Sequence, residues 1–266
     1  MIAPSDLLET PLRLETRWLG QTGFAALAET SSTSDEIGQL ARSGAPHGFV
    51  VVADRQTAGR GRQGRAWQSP AGANLYLSVL LRPRMTPAAL PPIALACGLA
   101  IAEAADAAGA RTAVKWPNDV LACGRAGGPA RPARKLAGVL VESATSSAGL
   151  SFAIVGVGCN VNQRDFPPEL ASIATSLVLE TGREHDRTDV LASVLLRLEA
   201  WIDRFLADGP GPIVAAVTPR LFGVGEEIRT AEGMRGRIAG LAVDGALRLE
   251  TESGPRRVVA GEVILV

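Results

Sequence analysis

The sequence is short of the material that several common protein classes require. Only three cysteines occur in 266 residues, Cys97, Cys123 and Cys159, far apart, odd in number and never as C-x-x-C. A disulfide framework or a structural zinc site is therefore not expected, and a reducing cytoplasm suits such a chain. There are only two histidines, His47 and His185, and no G-x-S-x-G, which argues against a Ser-His-Asp hydrolase. Neither sign of charge is in surplus: 27 Lys+Arg stand against 27 Asp+Glu, where a general nucleic-acid binder needs a basic excess. The P-loop GK[ST] and the kinase HRD and DFG strings are missing. The N-terminus, MIAPSDLLETPLRLETR, has early acidic residues and no continuous apolar core, so it does not read as a signal peptide. The longest apolar run, near residues 93–102, is far short of a membrane span.

The 47% hydrophobic content is enough for a substantial core, and the length suits one large domain plus a small one. Residues 49–81 hold the strongest local pattern. FVVVA and LYLSVLL read as strands, and the loop between them carries Arg55, Arg60, Arg62 and Arg65 with Gly59, Gly61 and Gly64. No acidic residue follows Asp54 in this stretch. Four guanidinium groups so close repel one another, and a bound anion is the simplest reason to keep them together. Arginine can bond two oxygens of a phosphate or carboxylate at once, and glycines let backbone N–H groups approach the same ligand. A solvated, flexible surface loop is the bland alternative. The string Gly59-x-Gly61-x-x-Gly64 also matches a dinucleotide fingerprint, but a strand pattern rather than a helix follows it, and residues 70–90 contain no Asp or Glu.

Elsewhere the pattern is as follows. Residues 1–23 show no two-helix DNA-binding unit. Residues 29–36, ETSSTSDE, precede a helical stretch; the hydroxyls read either as an N-cap or as donors to a polar ligand head. Residues 74–81 form a strand, and Ala-rich residues 90–108 form a helix packed on the sheet. A short strand at 112–115 leads into KWPNDVL, where Asp119 is either a turn residue or a contact to a magnesium nucleotide. Residues 122–134, ACGRAGGPARPAR, read as a mobile surface loop ahead of the strand KLAGVLVES. Lys135, which opens that strand, is either a snorkelling edge residue or a charge aimed into a site. Residues 151–161 give another buried strand, ending near Gly158 and Asn160, and residues 192–206 an amphipathic core helix. From about Pro219, five short strand-like runs (226–230, 234–241, 246–250, 256–259 and 263–266) suggest a small β-barrel.

GRGRQGRAWQSPAGANLYLS, KWPNDVL, KLAGVLVE and VGVGCNVN, in this order, resemble the biotin–protein ligases, with the likeness running over about residues 25–266. The resemblance implies an α/β (α+β) fold of the class II synthetase/biotin ligase kind, a mixed, largely antiparallel sheet with packed helices, plus a C-terminal SH3-like β-barrel. It divides the chain into an N-terminal segment (1–24), a biotin- and ATP-binding catalytic domain (25–218) and the C-terminal module (219–266). It also implies a two-step reaction. Biotin's carboxylate attacks the α-phosphate of Mg2+-ATP to give biotinyl-5′-AMP, and a lysine of a biotin carboxyl carrier protein then attacks the mixed anhydride.

By the same resemblance, Arg60 and Arg62 match arginines of the loop that folds over the intermediate. Lys135 matches the lysine beside the biotin carboxylate and α-phosphate. Ser32, Thr33, Ser34 and Gln56 match biotin contacts, with Ser34 where asparagine is more usual. Gly59, Gly61 and Gly138 match positions of close approach to the ligand. Trp67, Asn118 and Asn160 fall on nucleotide-site motifs, and Asp119 on a weaker candidate for the magnesium nucleotide. Some family members carry a DNA-binding winged helix ahead of the ligase; about 25 residues are too few for one, so neither operator binding nor repression is expected, and no membrane association. Family members are often homodimers. The nearest rival reading is a lipoate- or octanoate-type ligase, and a more distant one is a non-catalytic biotin or nucleotide sensor; GRGRxGRxW and KWPND favour biotin.

Overall fold

Alternating large apolar residues, two faces buried at once, set the first layers. In the computed structural model, which describes residues 5–8, 10–128, 131–147 and 149–265, strands run β1 Phe24–Thr30, β2 Val50–Gln56, β3 Leu75–Leu81, β4 Ala110–Lys115, β5 Asp119–Arg125, β6 Arg134–Ser146 and β7 Gly149–Cys159. They form one sheet in the order β1-β2-β3-β7-β6-β5-β4. Only the β1–β2 pair is parallel. This is the mixed, largely antiparallel sheet expected. The helices are α1 Ser5–Leu8, α2 Thr33–Arg42, α3 Pro91–Ala107, α4 Pro168–Ala171, α5 Leu177–Thr181, α6 Arg187–Asp208 and α7 Gly211–Val217.

Period-two alternation separates the two faces. Val50, Val52, Leu75, Leu77, Val79, Val155 and Val157 turn toward α3 and α6 and join the main core, whereas Val51, Leu80 and Ile154 pack under Ile37 and Ala41 of α2. The span Pro87–Ala107 is in fact long and apolar enough to cross a bilayer by length and composition, a longer run than expected. Most of it is buried inside the protein, with Ile93, Leu95, Leu99 and Ile101 in the core.

The five C-terminal runs are strands β8 Glu227–Thr230, β9 Arg235–Leu241, β10 Leu247–Thr251, β11 Gly254–Val258 and β12 Val263–Leu265. They pair antiparallel in the order β11-β10-β9-β8-β12 around Ile228, Ile238, Leu247, Leu249 and Val263. The buried Trp116 Nε1 donates to Gly245 O at 3.0 Å and ties this sheet to the end of β4.

Several elements differ from expectation. β1 was not foreseen: FAALAET lacks clean alternation because it is an edge strand, mostly half-buried. The expected loop 122–134 is shorter, since Ala122–Arg125 complete β5 and Arg134 starts β6; residues 129 and 130 lie outside the described residues. α5 carries legible caps, Ser176 accepting from Leu179 N and Gly182 at φ 78°, but five residues give no helical period to detect.

The N-terminal segment is fastened by α6. Glu199, only 3% exposed, accepts from Arg17 N (2.8 Å), Trp18 N (2.8 Å) and Leu19 N (2.9 Å). Burial pushes its carboxyl up, but these three N–H groups and the Arg17 charge outweigh burial and hold it below the usual range. Arg187 bonds Asp6 through Nε (2.8 Å) and Asp54 through Nη1 (2.6 Å). Because the folded-state value of Glu199 is depressed, its contribution is present above the ordinary carboxylate range and is lost as pH falls through the depressed value. Glu199→Gln should cost about 1–3 kcal/mol at neutral pH and flatten the loss of stability on acidification. Urea titrations at neutral and acidic pH test this; an unchanged neutral midpoint would deny Glu199 the role.

Candidate active site

The same alternation that buries valines on one face of β7 leaves glycine on the other. Gly156 and Gly158 lie on the face opposite Val155 and Val157. Register sets Gly158 between Tyr76 of β3 and Gly138 of β6, with Asp119 of β5 beyond Gly138. Gly156 stands between Ser78 and Leu140. The sheet therefore offers a floor of backbone, and a cavity of about 540 Å3 sits on it. Trp67 fills the vacant space: a Cβ on Gly158 would stand 2.3 Å from its Cε2, and one on Gly138 3.2 Å from its Cζ3.

One end of the cavity is uncharged and rich in donors and acceptors. Ser32 caps α2, accepting from Ser34 N. Gln56 Oε1 accepts from Thr33 N (2.9 Å) and Thr33 Oγ1 (3.2 Å), while its Nε2 donates to Ser69 Oγ (3.0 Å). Ser78 Oγ, fully buried, lies 2.9 Å from Thr33 Oγ1 and 3.1 Å from Ser34 Oγ. Of the hydroxyls of residues 29–36, Ser32 is the cap, and Thr33 and Ser34 line the cavity. Ser78, which meets both hydroxyls, carries no pattern as a lone serine in an apolar strand, and Ser69, which accepts from Gln56, lies in the loop before it.

The other end is cationic. Lys135 Nζ is 2.8 Å from Asp119 Oδ1 and 5.3 Å from the centre of a Trp67 ring. That Asp119 oxygen has no hydrogen bond of good geometry, and neither has the buried Trp67 Nε1. Arg62 Nη1 donates to Asn118 Oδ1 at 3.2 Å, and Asn118 Nδ2 donates to Val139 O at 2.7 Å. Lys115 lines the same end.

The basic loop itself requires a correction. Three of its four arginines have carboxylate partners brought from elsewhere: Arg55 with Glu29 (2.5 Å), Arg60 with Asp35 (2.7 Å) and Arg65 with Glu262. Mutual repulsion is thus relieved within the fold, and an anion is not needed to explain the cluster. Among the described residues, Arg62 is the loop arginine with no ion pair. The bond to Arg65 holds Glu262 below the usual carboxylate range.

Every candidate residue lines this cavity except Gly59: Ser32, Thr33, Ser34, Gln56, Arg60, Gly61, Arg62, Trp67, Asn118, Asp119, Lys135, Gly138 and Asn160. Gly59 lies behind the wall, where a Cβ would meet Trp67 O at 2.7 Å and Ser69 Oγ at 2.8 Å. Its smallness serves the loop's own packing. The Asn160 amide donates to Thr175 O at 2.9 Å, so that group is already committed to backbone. Sequence reasoning missed Gln163, Phe166 and Ile173, which close one wall from the α4 region, and Glu262 and Val263, which reach in from the C-terminal sheet. No periodic signal marks these segments. Among the described residues no group of three or more His, Cys, Asp and Glu could hold a metal. Burial pushes the Cys159 thiol up to about 12.

The cavity thus joins an uncharged hydrogen-bonding recess to a cationic end. The chain belongs to the biotin/lipoate A/B protein ligase family, whose model matches residues 27–160; the biotin protein ligase C-terminal domain matches residues 226–266. It is 36% identical over 248 residues to the biotin–[acetyl-CoA-carboxylase] ligase of Mycobacterium tuberculosis, covering 90% of this chain and 87% of that one. It is 35% identical over 272 residues to the bifunctional ligase/repressor BirA of Bacillus subtilis, covering 98% of this chain and 80% of that one. The biotin protein ligase from Aquifex aeolicus in complex with biotin and ATP superposes with a TM-score of 0.78 at 34% identity, over 92% of this chain and 98% of that one.

Gly158→Ala places a methyl where the Trp67 ring lies, with little conformational penalty in a strand. The indole should be displaced, with a change in tryptophan emission that vanishes in a Trp67→Phe background. Unchanged emission would mean that the ring does not rest on this floor.

Proposed function

We propose that this protein is an ATP-dependent ligase that converts biotin to biotinyl-5′-AMP and transfers the biotinyl group to a lysine of a biotin carboxyl carrier protein. The observation that carries the reading is the joining of two unlike ends in one cavity: the Thr33–Ser34–Gln56–Ser78 recess and the Arg62–Lys135 end. A ureido ring needs both donors and acceptors, and the recess has both. A carboxylate and a triphosphate repel, and fixed cations away from bulk water offset that repulsion.

In this reading a biotin carboxylate oxygen attacks the α-phosphorus, the bond to the bridging oxygen of the β-phosphate breaks, and pyrophosphate leaves. The carrier lysine's neutral amine then attacks the acyl carbon; the bond to the phosphate oxygen breaks, AMP leaves, and the nitrogen loses a proton. Lys135 neutralises charge at the carboxylate and α-phosphate, and Arg62 reaches the nucleotide from the loop. Magnesium enters as the counter-ion of ATP, held chiefly by phosphates and water. Asp119 fits a magnesium contact poorly, because Lys135 already occupies one of its oxygens. Operator binding and repression form no part of the proposal. The described residues of 5–23 contain a four-residue helix and a short 3-10 turn fastened to α6, with no pair of helices to enter a groove. Three free cysteines suit a cytoplasmic enzyme.

Acid-dependent ATP–pyrophosphate exchange tests the proposal, with biotin, lipoate and octanoate in parallel. Exchange with biotin alone is the expected result; exchange with lipoate or octanoate instead would move the protein to that ligase class, and none with any acid would leave only binding. Lys135→Ala should slow the biotin-dependent exchange by roughly 10²–10³, the scale of one preorganised electrostatic donor.

A further inference from the structure

Lys135 reaches the cavity against the alternation of its own strand. Counting back from Gly138 in steps of two puts Leu136 and Arg134 on the cavity face of β6 and Lys135 on the core face. The observed order is the reverse: Leu136 is buried in the main core beside Ala137, and Lys135 lines the cavity. A bulge makes the exchange. Val120 of β5 pairs with Ala137 and Leu121 with Lys135, so Leu136 is an extra residue and the faces swap before it. Lys135 then lies along Gly138, its Nζ 3.2 Å from where a Cβ would stand there.

The bulge is held from the segment that precedes α5. Lys135 N donates to Ile173 O at 2.7 Å, Thr175 N donates to Lys135 O at 2.9 Å, and Asn160 N donates to Leu136 O at 2.9 Å. The first two bonds make a parallel bridge between Lys135 and Ala174. One carboxylate brackets this bridge. Glu180 of α5, its side chain fully buried, accepts through Oε1 from both Arg134 Nη2 (2.9 Å) and Thr175 Oγ1 (2.5 Å). A single oxygen thus ties the residue before Lys135 to the residue that bonds the Lys135 carbonyl. Glu180 Oε2 is buried and has no hydrogen-bond partner among the described residues. A well-packed apolar side chain often fills such a place with no loss of stability, so packing alone does not account for the carboxylate.

We propose that Glu180 is a positioning residue for Lys135: by clamping Arg134 and Thr175 it keeps the bulge that turns the lysine into the cavity. What the Lys135 charge acts on rests on the ligase reading, whereas the direction in which Lys135 points does not.

The sequence supplies a clean probe. Lys115 and Lys135 are the only lysines in the chain, so reductive 13C-methylation labels just these two side chains and preserves their charge. Lys115→Arg assigns the two signals. Lys135 Nζ stands over the Trp67 ring, 5.3 Å from its centre, and the ring current sets its methyl signal apart from that of a solvated lysine. Glu180→Met keeps the volume and removes both acceptor bonds. In the ligand-free protein it should move the Lys135 signal most of the way to the solvated position and leave the Lys115 signal in place. Glu180→Gln offers an amide oxygen to the same two donors and should hold the Lys135 signal near its wild-type position.

In parallel, kcat for biotin-dependent pyrophosphate exchange should fall by roughly 10–10² in Glu180→Met, the scale of a small misplacement of a reacting group, and by less in Glu180→Gln. An unmoved Lys135 signal in Glu180→Met, with folding shown intact by circular dichroism, would overturn the proposal whatever the exchange rate. Should Glu180→Met not fold, Thr175→Val removes one of the two bonds and leaves the Arg134–Glu180 pair. A partial displacement of the Lys135 signal would then support the clamp, and none would overturn it. If the wild-type protein shows no exchange with biotin, the ligase reading fails, and the methyl signals still decide the positioning.

Discussion

The arrangement depends on a close contact between an indole and a strip of bare backbone. Gly138 and Gly158 face each other across β6 and β7, and the Trp67 ring lies in the space their missing side chains leave. Seating the ring there fixes the end of the basic loop, and it brings a π-face under the Lys135 ammonium. It also leaves Trp67 Nε1 buried against Gly158 without a hydrogen-bond partner. Larger residues on those strands would lift the ring from the cavity floor.

Charge balance is the second constraint. A chain of zero net charge can hold a strongly positive loop only if carboxylates are delivered to it. Glu29, Asp35, Glu142 and Glu262 do so from β1, α2, β6 and the segment before β12. Each lies on a different element, so the loop's position reports on the packing of the whole molecule, including the C-terminal sheet. Among the described residues, Arg62 is the loop arginine left without an ion pair; it donates to Asn118 instead. The Lys135–Asp119 pair is an intermediate case: an ammonium with one carboxylate neighbour and no good hydrogen bond to it can turn to a stronger anion at small cost.

Much of this was legible in the sequence where a pattern repeats. The strands β2, β3 and β7, the helix α3 and the five C-terminal strands announce themselves through alternation or helical spacing reinforced by turn residues. Candidate residues clustered in motifs, from Ser32 through Asn160, share one cavity. Edge strand β1 and short helices α4 and α5 did not show, because half-burial and four- or five-residue lengths leave no period to count. The arginine cluster misled for a related reason. Its counter-charges lie from 25 to 197 positions away, as with Asp35 and Glu262, and proximity along the chain says nothing about them.

The sequence by itself determined the chemistry on offer: a donor- and acceptor-rich helix start, a guanidinium loop, a lysine at a strand end, and glycines spaced by two. Those are local properties, set by side-chain type and by the period of the backbone. Only the tertiary structure decided which groups remain free to act. Strand register placed Gly158 beside Gly138, loop packing gave Asp35 to Arg60 and, among the described residues, left Arg62 without an ion pair, and the C-terminal sheet brought Glu262 to Arg65. Pairing between charges depends on distance in space, and the fold alone sets that distance.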